Sequence, residues 1–355
     1  MTTLSPEISW AAFPAQSTAQ RRKMPRVFPI YVAAYLPHQN GRIDWAGFKA
    51  ILTRIYQAVC VPVINADTGF AFLLNPDQKR EVIRRLREWF PDKPVVVGVT
   101  PVSASTFSAD AYMEAIAAVQ LDENVRIMMM VSPGLTALHG QELVDAFASV
   151  TNLQQPGIAH ELTAEFVTFG RPFTPFEIAG ILALPNFSAL KTSALSGCAV
   201  LQRVTLIRRM DLPEDRQILS GVDWQVGEAF EYADGVLMGA AALFPRLFRR
   251  LLELRRDADS DPRSFWAYDQ LIAAVQAIVS FQFRPGPGTS VDVGGYRHFT
   301  GIWLKACGVI GSDDLPAGVP QHHQRGDDRA VAESLLLMLR TVLKGIGEDP
   351  NELLS

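Results

Sequence analysis

One lysine follows a short apolar run in the segment NFSALKTSALSG (186–197), at the point where a strand would end and a loop would begin. Most of the other six lysines lie in segments that are typical of helix surface or solvated loop. An amine in an apolar pocket loses the hydration that favours its charged form, so its pKa falls. The neutral amine can then attack a ketone and form an imine. Its position therefore makes Lys191 a candidate nucleophile for chemistry next to a carbonyl group.

Polar and small residues at the ends of other apolar runs leave further interpretations open. Lys191 could instead extend to solvent, or pair with the carboxylate of Asp67, Glu161 or Asp223. The same three carboxylates could converge on a divalent ion, although the lysine would compete with a cation there. The residues that follow the runs are Asp67, Thr68, Gly69, Thr100, Ser132, Glu161, Thr163, Lys191, Gly221, Asp223 and Gly239.

Eight short apolar runs alternate with helical patterns along most of the chain. Their continuous apolar character is typical of parallel strands covered on both faces. Eight strands, each followed by a helix, predict an α/β fold, a (β/α)8 TIM barrel, over residues 27–258. A doubly wound open sheet competes, but AYLPHQNG follows the first run where that fold would carry GxGxxG. The runs span 27–35, 58–67, 95–100, 125–131, 157–162, 188–193, 217–221 and 235–240.

The barrel prediction gives the residues at the run ends one common location. In such barrels the chemistry gathers at the C-terminal ends of the strands. Lys191 and the polar residues that follow the other runs are therefore expected to meet at one mouth. Residues 1–26 are predicted to form an N-terminal arm. Residues 259–355 contain three further helical patterns and are predicted to form a C-terminal helical bundle that extends the barrel.

Composition and charge argue against several classes of protein. A hydrophobic content of 48% favours a large folded core, and a net charge of -4 argues against a nucleic-acid binder. Three cysteines without a CxxC pair fit a reducing, cytoplasmic environment better than a disulfide framework. The sequence has no run of 18 or more apolar residues, and its N-terminal segment lacks the apolar core of a signal peptide. A cytoplasmic protein is therefore expected.

Four segments, in order along the chain, carry a resemblance to a known family. They are RVFPIYVAAYLPHQNGRIDW, NADTGFAFLLNPDQKREVI, SALKTSALSG, and ILSGVD followed by GVLMGAAALFP. They resemble the dihydrodipicolinate synthase / N-acetylneuraminate lyase family of class I lyases and aldolases. Members of that family form a Schiff base with pyruvate or a related 2-keto acid. The resemblance runs from about residue 27 into the C-terminal helical patterns, and it implies the same barrel fold.

The resemblance implies roles for five residues. Lys191 matches the lysine that forms the imine. Thr68 and Gly69 match the threonine and glycine that receive the keto-acid carboxylate through hydroxyl and backbone N–H donors. Gly221 and Leu237 match positions that line the floor of the site. The resemblance also implies a homodimer or homotetramer.

Two departures from the family concern recognition and proton transfer. Asp67 replaces a threonine. Its carboxylate would stand beside the site expected for the keto-acid carboxylate, which is unfavourable unless Asp67 turns away, is protonated, or binds a hydroxyl or amine instead. The family's relay tyrosine on the fifth strand corresponds to Thr163, in HELTAEF. Thr163 and Glu161 are therefore predicted to be catalytic together with Lys191. His160 is the alternative to Glu161, because alternation lets only one of the two face the barrel.

The sequence thus predicts a Schiff-base-forming lyase or aldolase that acts on pyruvate or a related 2-keto acid. Its reaction would be an aldol addition, a retro-aldol cleavage or a dehydration, without a cofactor or metal ion. The expected partner is the small 2-keto acid, and neither nucleic acid nor a membrane is expected. Two alternatives stay open. One is a metal-assisted barrel enzyme that uses the carboxylates, and the other is a keto-acid or sugar-acid binding barrel without turnover.

Overall fold

The computed structural model describes residues 27–101, 105–120, 122–194, 198–210, 212–284, 293–319 and 326–355. The predicted N-terminal arm, residues 1–26, lies outside the described residues.

Eight parallel strands close into a barrel, which confirms the predicted (β/α)8 fold. Each strand pairs with its neighbours in chain order, and the first strand closes the barrel on the last. Lys191 lies in register between His160 on one side and Leu219 on the other. The strands are β1 (Ile30–Ala33), β2 (Val61–Ile64), β3 (Val95–Val99), β4 (Val125–Met129), β5 (Gly157–Leu162), β6 (Phe187–Ser193), β7 (Gln217–Ser220) and β8 (Gly235–Met238).

A helix follows each strand, and after β4 a single helical turn, Pro133–Thr136, precedes it. The second one begins with the predicted N-cap Asn75, whose side chain accepts from the backbone of Gln78, and with Pro76 in its first turn. Between β1 and the first helix, residues His38–Gln39 and Arg42–Ile43 form a small antiparallel hairpin. The helices are α1 (Trp45–Gln57), α2 (Pro76–Trp89), α3 (Ala109–Ala117), α4 (Gln141–Ser149), α5 (Pro175–Ala183), α6 (Ala199–Arg208), α7 (Val226–Tyr232) and α8 (Pro245–Asp257).

Side chains of the strands alternate between the barrel interior and the surrounding helices. An apolar cluster fills the interior, and His160 and Lys191 stand two residues beyond its members Ile158 and Ala189, on the same face of their strands. The cluster consists of Tyr31, Ala33, Val63, Ala66, Val96, Met128, Met130, Ile158, Ala189, Leu219 and Leu237. The barrel therefore carries the imidazole and the amine just above its apolar filling.

Four more helices follow the barrel: α9 (Pro262–Gln282), α10 (Val293–Ala306), α11 (Asp328–Gly345) and α12 (Pro350–Leu354). Trp303 of α10 packs edge-on against Phe244, which precedes α8, with ring centroids 5.8 Å apart. Arg54 of α1 donates to the Leu354 carbonyl at 3.1 Å. These contacts join the C-terminal helices to the barrel through a shared core. The division into a barrel over residues 27–258 and an appended helical bundle over residues 259–355 stays a prediction.

None of the described helices combines the length and the apolar character that a membrane crossing needs.

Candidate active site

Lys191 lies near the C-terminal end of β6 and is only 8% exposed. Its Nζ lies 3.2 Å from Nε2 of His160 on the neighbouring strand β5. Burial lowers the pKa of Lys191 to about 8, although the charges of Asp67 and Asp223 act in the opposite direction. An amine with this pKa is partly neutral near physiological pH, which a nucleophile requires.

His160 faces the amine from a fully buried position on β5. Burial, together with the charge of Lys191, holds the pKa of its imidazole well below the usual range. The ring is therefore neutral at physiological pH. Among the described residues, its Nδ1 has no hydrogen-bond partner. With the ring proton on Nδ1, Nε2 is free to accept a proton from the neighbouring amine.

Asp223 follows β7 in a short 3-10 turn, Asp223–Gln225. Its Oδ1 accepts a hydrogen bond from the backbone N–H of Ala240 at 2.7 Å. Burial raises the pKa of this carboxyl to about 7, against the opposing effects of that hydrogen bond and of Lys191. Near neutral pH, Asp223 is a mixture of acid and carboxylate, so it can both donate and accept a proton.

The turn Asp67–Gly69, after β2, is held by two residues from α10. Arg297 forms an ion pair with Oδ1 of Asp67. The hydroxyl of Tyr296 lies 3.2 Å from Oδ2 of Asp67 and 3.2 Å from Oγ1 of Thr68. Asp67 therefore contacts a guanidinium and a hydroxyl of the protein itself. The Gly69 N–H donates to the Ala66 carbonyl at 3.0 Å, so the turn itself engages this predicted carboxylate donor.

The sequence did not indicate Tyr296 and Arg297 as residues of the site. They lie in the segment YRHFTGIWLKACGVI, which shows only a helical pattern. No local signal connects this segment to a turn more than 200 residues earlier. The tertiary contacts of α10 alone bring the phenol and the guanidinium to the barrel mouth.

The structure does not bring Glu161, predicted to be catalytic, to Lys191. Glu161 stands on the opposite face of β5 from His160, and its Oε2 accepts from Nε of Arg203 on α6 at 2.9 Å. The same oxygen accepts from the Thr192 hydroxyl at 2.5 Å, and Oε1 accepts from the Phe173 N–H at 2.6 Å. These donors leave Glu161 as a buried cross-link between β5, β6 and α6. His160, the alternative, takes the inward position.

Thr163 lies just beyond the end of β5, and its hydroxyl donates to the Ser193 carbonyl at 3.4 Å. This contact joins the threonine to the backbone of β6, two residues beyond Lys191. Its predicted part in proton transfer stays a prediction.

Gly221 lies directly beside the lysine. A Cβ at this position would collide with Cε of Lys191 and would come within 2.8 Å of Oγ of Ser193. The missing side chain thus provides the space in which the lysine lies. Leu237, the other predicted floor residue, is fully buried in the interior cluster. A Cβ at Gly239, two residues later, would come within 2.8 Å of Oγ1 of Thr68.

In the part of the chain that the structure describes, no group of three or more His, Cys, Asp or Glu side chains is arranged to hold a metal ion.

No protein-family model and no curated protein matches the chain. Among solved structures, it is similar to a dihydrodipicolinate synthase from Oceanobacillus iheyensis, with 17% identity, a TM-score of 0.65, and coverage of 88% of this chain and 97% of that one. A putative dihydrodipicolinate synthetase from Pseudomonas aeruginosa gives 17% identity, a TM-score of 0.68, and coverage of 88% and 100%. A prophage protein of the dihydrodipicolinic acid synthase family from E. coli K12, solved in complex with pyruvate, gives 15% identity and a TM-score of 0.68. The match covers 89% of this chain and 99% of that one. At these identities the likeness shows a shared fold.

Proposed function

We propose that the chain is a divergent lyase or aldolase of the dihydrodipicolinate synthase family, in which Lys191 forms an imine with pyruvate or a related 2-keto acid. The observation that carries the proposal is the amine itself. It is buried at a strand end of the barrel, its pKa is lowered to about 8, and a neutral imidazole lies 3.2 Å away. The similarity in fold to a protein solved with pyruvate supports the choice of ligand.

The imine would form in two stages. In the first, Nζ of Lys191 attacks C2 of the keto acid, and the π electrons of the C=O bond move to oxygen. The attacking nitrogen then releases a proton to Nε2 of His160, and this proton passes on to the new oxide on C2, which becomes a hydroxyl. In the second stage, Asp223, partly protonated near neutral pH, donates a proton to this hydroxyl, which leaves as water while the nitrogen lone pair forms the C=N bond. The products are water, the protonated imine and the Asp223 carboxylate.

Thr68 is the proposed contact for the keto-acid carboxylate, because its hydroxyl lies in the mouth beside Tyr296. Gly69 contributes less than the family pattern implies, since its N–H is held by the Ala66 carbonyl. The proposed class includes aldol addition, retro-aldol cleavage and dehydration, all of which use the imine as an electron sink.

The test is the mass of the intact protein after sodium borohydride treatment in the presence of pyruvate or 2-oxobutyrate. We expect an adduct of the reduced keto acid on the native protein and none on Lys191→Ala. Lys79→Ala is the matched control, because burial also lowers the pKa of Lys79, which lies on the surrounding helix α2 and not at a strand end. This control should form the adduct as the native protein does.

Loss of the adduct in both lysine variants, or its persistence in Lys191→Ala, would contradict the role of Lys191. A native protein that is stabilised thermally by these acids but forms no adduct would instead favour the binding barrel without turnover. Activity that is lost with a chelator and unaffected by borohydride would favour the metal-assisted enzyme.

A further inference from the structure

Two side chains in the described part of α10 contact the Asp67–Gly69 turn: the hydroxyl of Tyr296 and the guanidinium of Arg297. Tyr296 is 2% exposed, and its ring stacks on Phe283 with centroids 4.6 Å apart and an interplanar angle of 18°. Its backbone carbonyl accepts from the Thr300 hydroxyl at 2.8 Å. The phenol is therefore fixed in place by its ring and by its backbone.

The two oxygens of Asp67 have different partners. Oδ1 binds the Arg297 guanidinium, while Oδ2 faces the Tyr296 hydroxyl at 3.2 Å. Burial, and then the charge of Asp67, raise the pKa of Tyr296 far above its usual value. The phenol thus keeps its proton, and it can take up another group's proton only while it passes its own to Asp67.

Asp67 also connects the phenol with the amine. Its charge raises the pKa of Lys191 and that of Tyr296, so it lies within electrostatic reach of both groups. The charge of Asp223 acts on the same two groups. The Thr68 hydroxyl and the Asp223 carboxyl both lie beside Gly239. A Cβ at this glycine would lie 2.8 Å from Oγ1 of Thr68 and 3.6 Å from Oδ2 of Asp223. The amine and the phenol therefore share one mouth.

Resting on the imine proposed above, we propose that Tyr296 is the catalytic residue that removes the proton from C3 of the bound keto acid, with Asp67 as the final acceptor. The C3–H bond breaks, and its electron pair forms the C2=C3 double bond. The π electrons of the iminium C=N bond move to Nζ of Lys191, which gives the neutral enamine. The C3 proton moves to the Tyr296 oxygen while the Tyr296 proton moves to Oδ2 of Asp67. Protonation of the enamine follows the reverse course.

This assignment gives the chain the phenol that β5 lacks. Thr163 and Glu161 of the β5 end are engaged with the Ser193 carbonyl and with Arg203, respectively. Tyr296 comes instead from a helix that follows the barrel. The assignment also gives Asp67 and Arg297 separate roles beside the phenol. The carboxylate accepts the proton, and the guanidinium keeps the carboxylate ionised before each proton transfer.

The test is the rate at which the C3 protons of pyruvate or 2-oxobutyrate exchange with deuterium in D2O, followed by proton NMR. This exchange needs no second substrate, because enamine formation and its reversal suffice. We expect Tyr296→Phe, which keeps the ring stacked on Phe283, to form the borohydride adduct like the native protein but to exchange about 10²–10⁴-fold more slowly. Asp67→Asn should also form the adduct and lose exchange.

Tyr56→Phe is the matched control. It removes a phenol that donates to the Pro94 carbonyl, just before β3 and at the opposite end of the barrel. Its exchange rate should equal that of the native protein. Exchange within twofold of native in Tyr296→Phe, or adduct formation by the native protein without any exchange, would overturn the relay and leave the imine intact. A native protein that forms no adduct with either acid would overturn the proposed function, and this proposal with it.

Discussion

At the scale of single residues, the reactivity of Lys191 is a balance between burial and two carboxylates. Burial lowers its pKa, while Asp67 and Asp223 raise it, and the result is about 8. At pH 7, about one tenth of such amines are neutral, compared with roughly 0.03% of amines with an unperturbed pKa near 10.5. Burial in the barrel mouth therefore increases the neutral fraction by a factor on the order of 300.

The first prediction concerns the pH dependence of imine formation. Because attack needs the neutral amine and loss of water needs protonated Asp223, the rate of adduct formation should rise about tenfold per unit below pH 7, reach a maximum between the two pKa values of about 7 and 8, and fall at higher pH. The measurement is the initial rate of borohydride trapping between pH 5.5 and 9.5, with those limits chosen to span about two units on each side of the maximum. In Asp223→Asn the rate should be lower, the fall at high pH should disappear, and the rise should level off at a lower pH, because the removed carboxylate raises the pKa of Lys191. A rate that still rises tenfold per unit above pH 8 in the native protein would mean that the amine is not buried in solution.

Gly221 limits what can stand beside this amine. The second prediction is that Gly221→Ala displaces the Lys191 side chain, since the added Cβ would meet Cε of Lys191. We expect loss of most adduct formation and a fall in the free energy of unfolding of about 1–3 kcal/mol, measured by denaturant titration. Gly227→Ala in α7 is the control, because its nearest neighbour would lie at 3.8 Å. It should keep the adduct and gain roughly 0.5–1 kcal/mol. Equal adduct formation in both variants would refute the steric argument.

At the scale of elements, β5 separates two polar residues that are adjacent in sequence. His160 faces the barrel interior and Lys191, while Glu161 faces α6. Alternation predicts that only one of the pair faces inward, but it does not say which. The answer depends on the pairing of β5 with β6, where His160 lies opposite Lys191. Register between strands is a tertiary property, so this part of the site could not be predicted from one strand.

The third prediction follows from the position of Glu161. Glu161→Gln leaves the Arg203 guanidinium without its buried counterion, so the free energy of unfolding should fall by about 3–5 kcal/mol. Adduct formation below the melting temperature should persist, because Lys191 and His160 are untouched. Chemical denaturation and borohydride trapping of the same sample measure both quantities. A variant of native stability that no longer forms the adduct would restore Glu161 to the catalytic role predicted from the sequence.

At the scale of the whole molecule, the eight strands could be predicted from sequence to within a few residues. Parallel strands covered on both faces must be apolar throughout, and that constraint leaves continuous runs in the sequence. The partner of Asp67 could not be predicted in this way, because Arg297 lies 230 positions away and in a different element. Local patterns report which residues a helix buries. They do not report which distant turn its polar residues reach.

The fourth prediction concerns cooperativity between the barrel and the helices that follow it. Trp303 of α10 is fully buried against Phe244, in the core that both parts share. Trp303→Ala should lower the free energy of unfolding by about 3–5 kcal/mol in a single transition, seen by calorimetry and far-UV circular dichroism. Trp266→Ala, at a half-exposed position of α9, should change it by less than about 0.5 kcal/mol. Two separate transitions in the native protein would favour independent units at 27–258 and 259–355.

The distance along the chain between Asp67 and α10 also has a consequence for biosynthesis. Tyr296 is added to the nascent chain 58 residues after Met238, the last residue of the last barrel strand. At about 5–20 residues per second, a ribosome needs roughly 3 to 12 s for that stretch. During this interval every barrel strand has been synthesised, Lys191 included, while Asp67 still lacks both its counterion and the phenol. A nascent chain released early would contain Lys191 but would lack the α10 side chains that complete the shared core, so we expect the mouth to take its final form only after α10 has been synthesised.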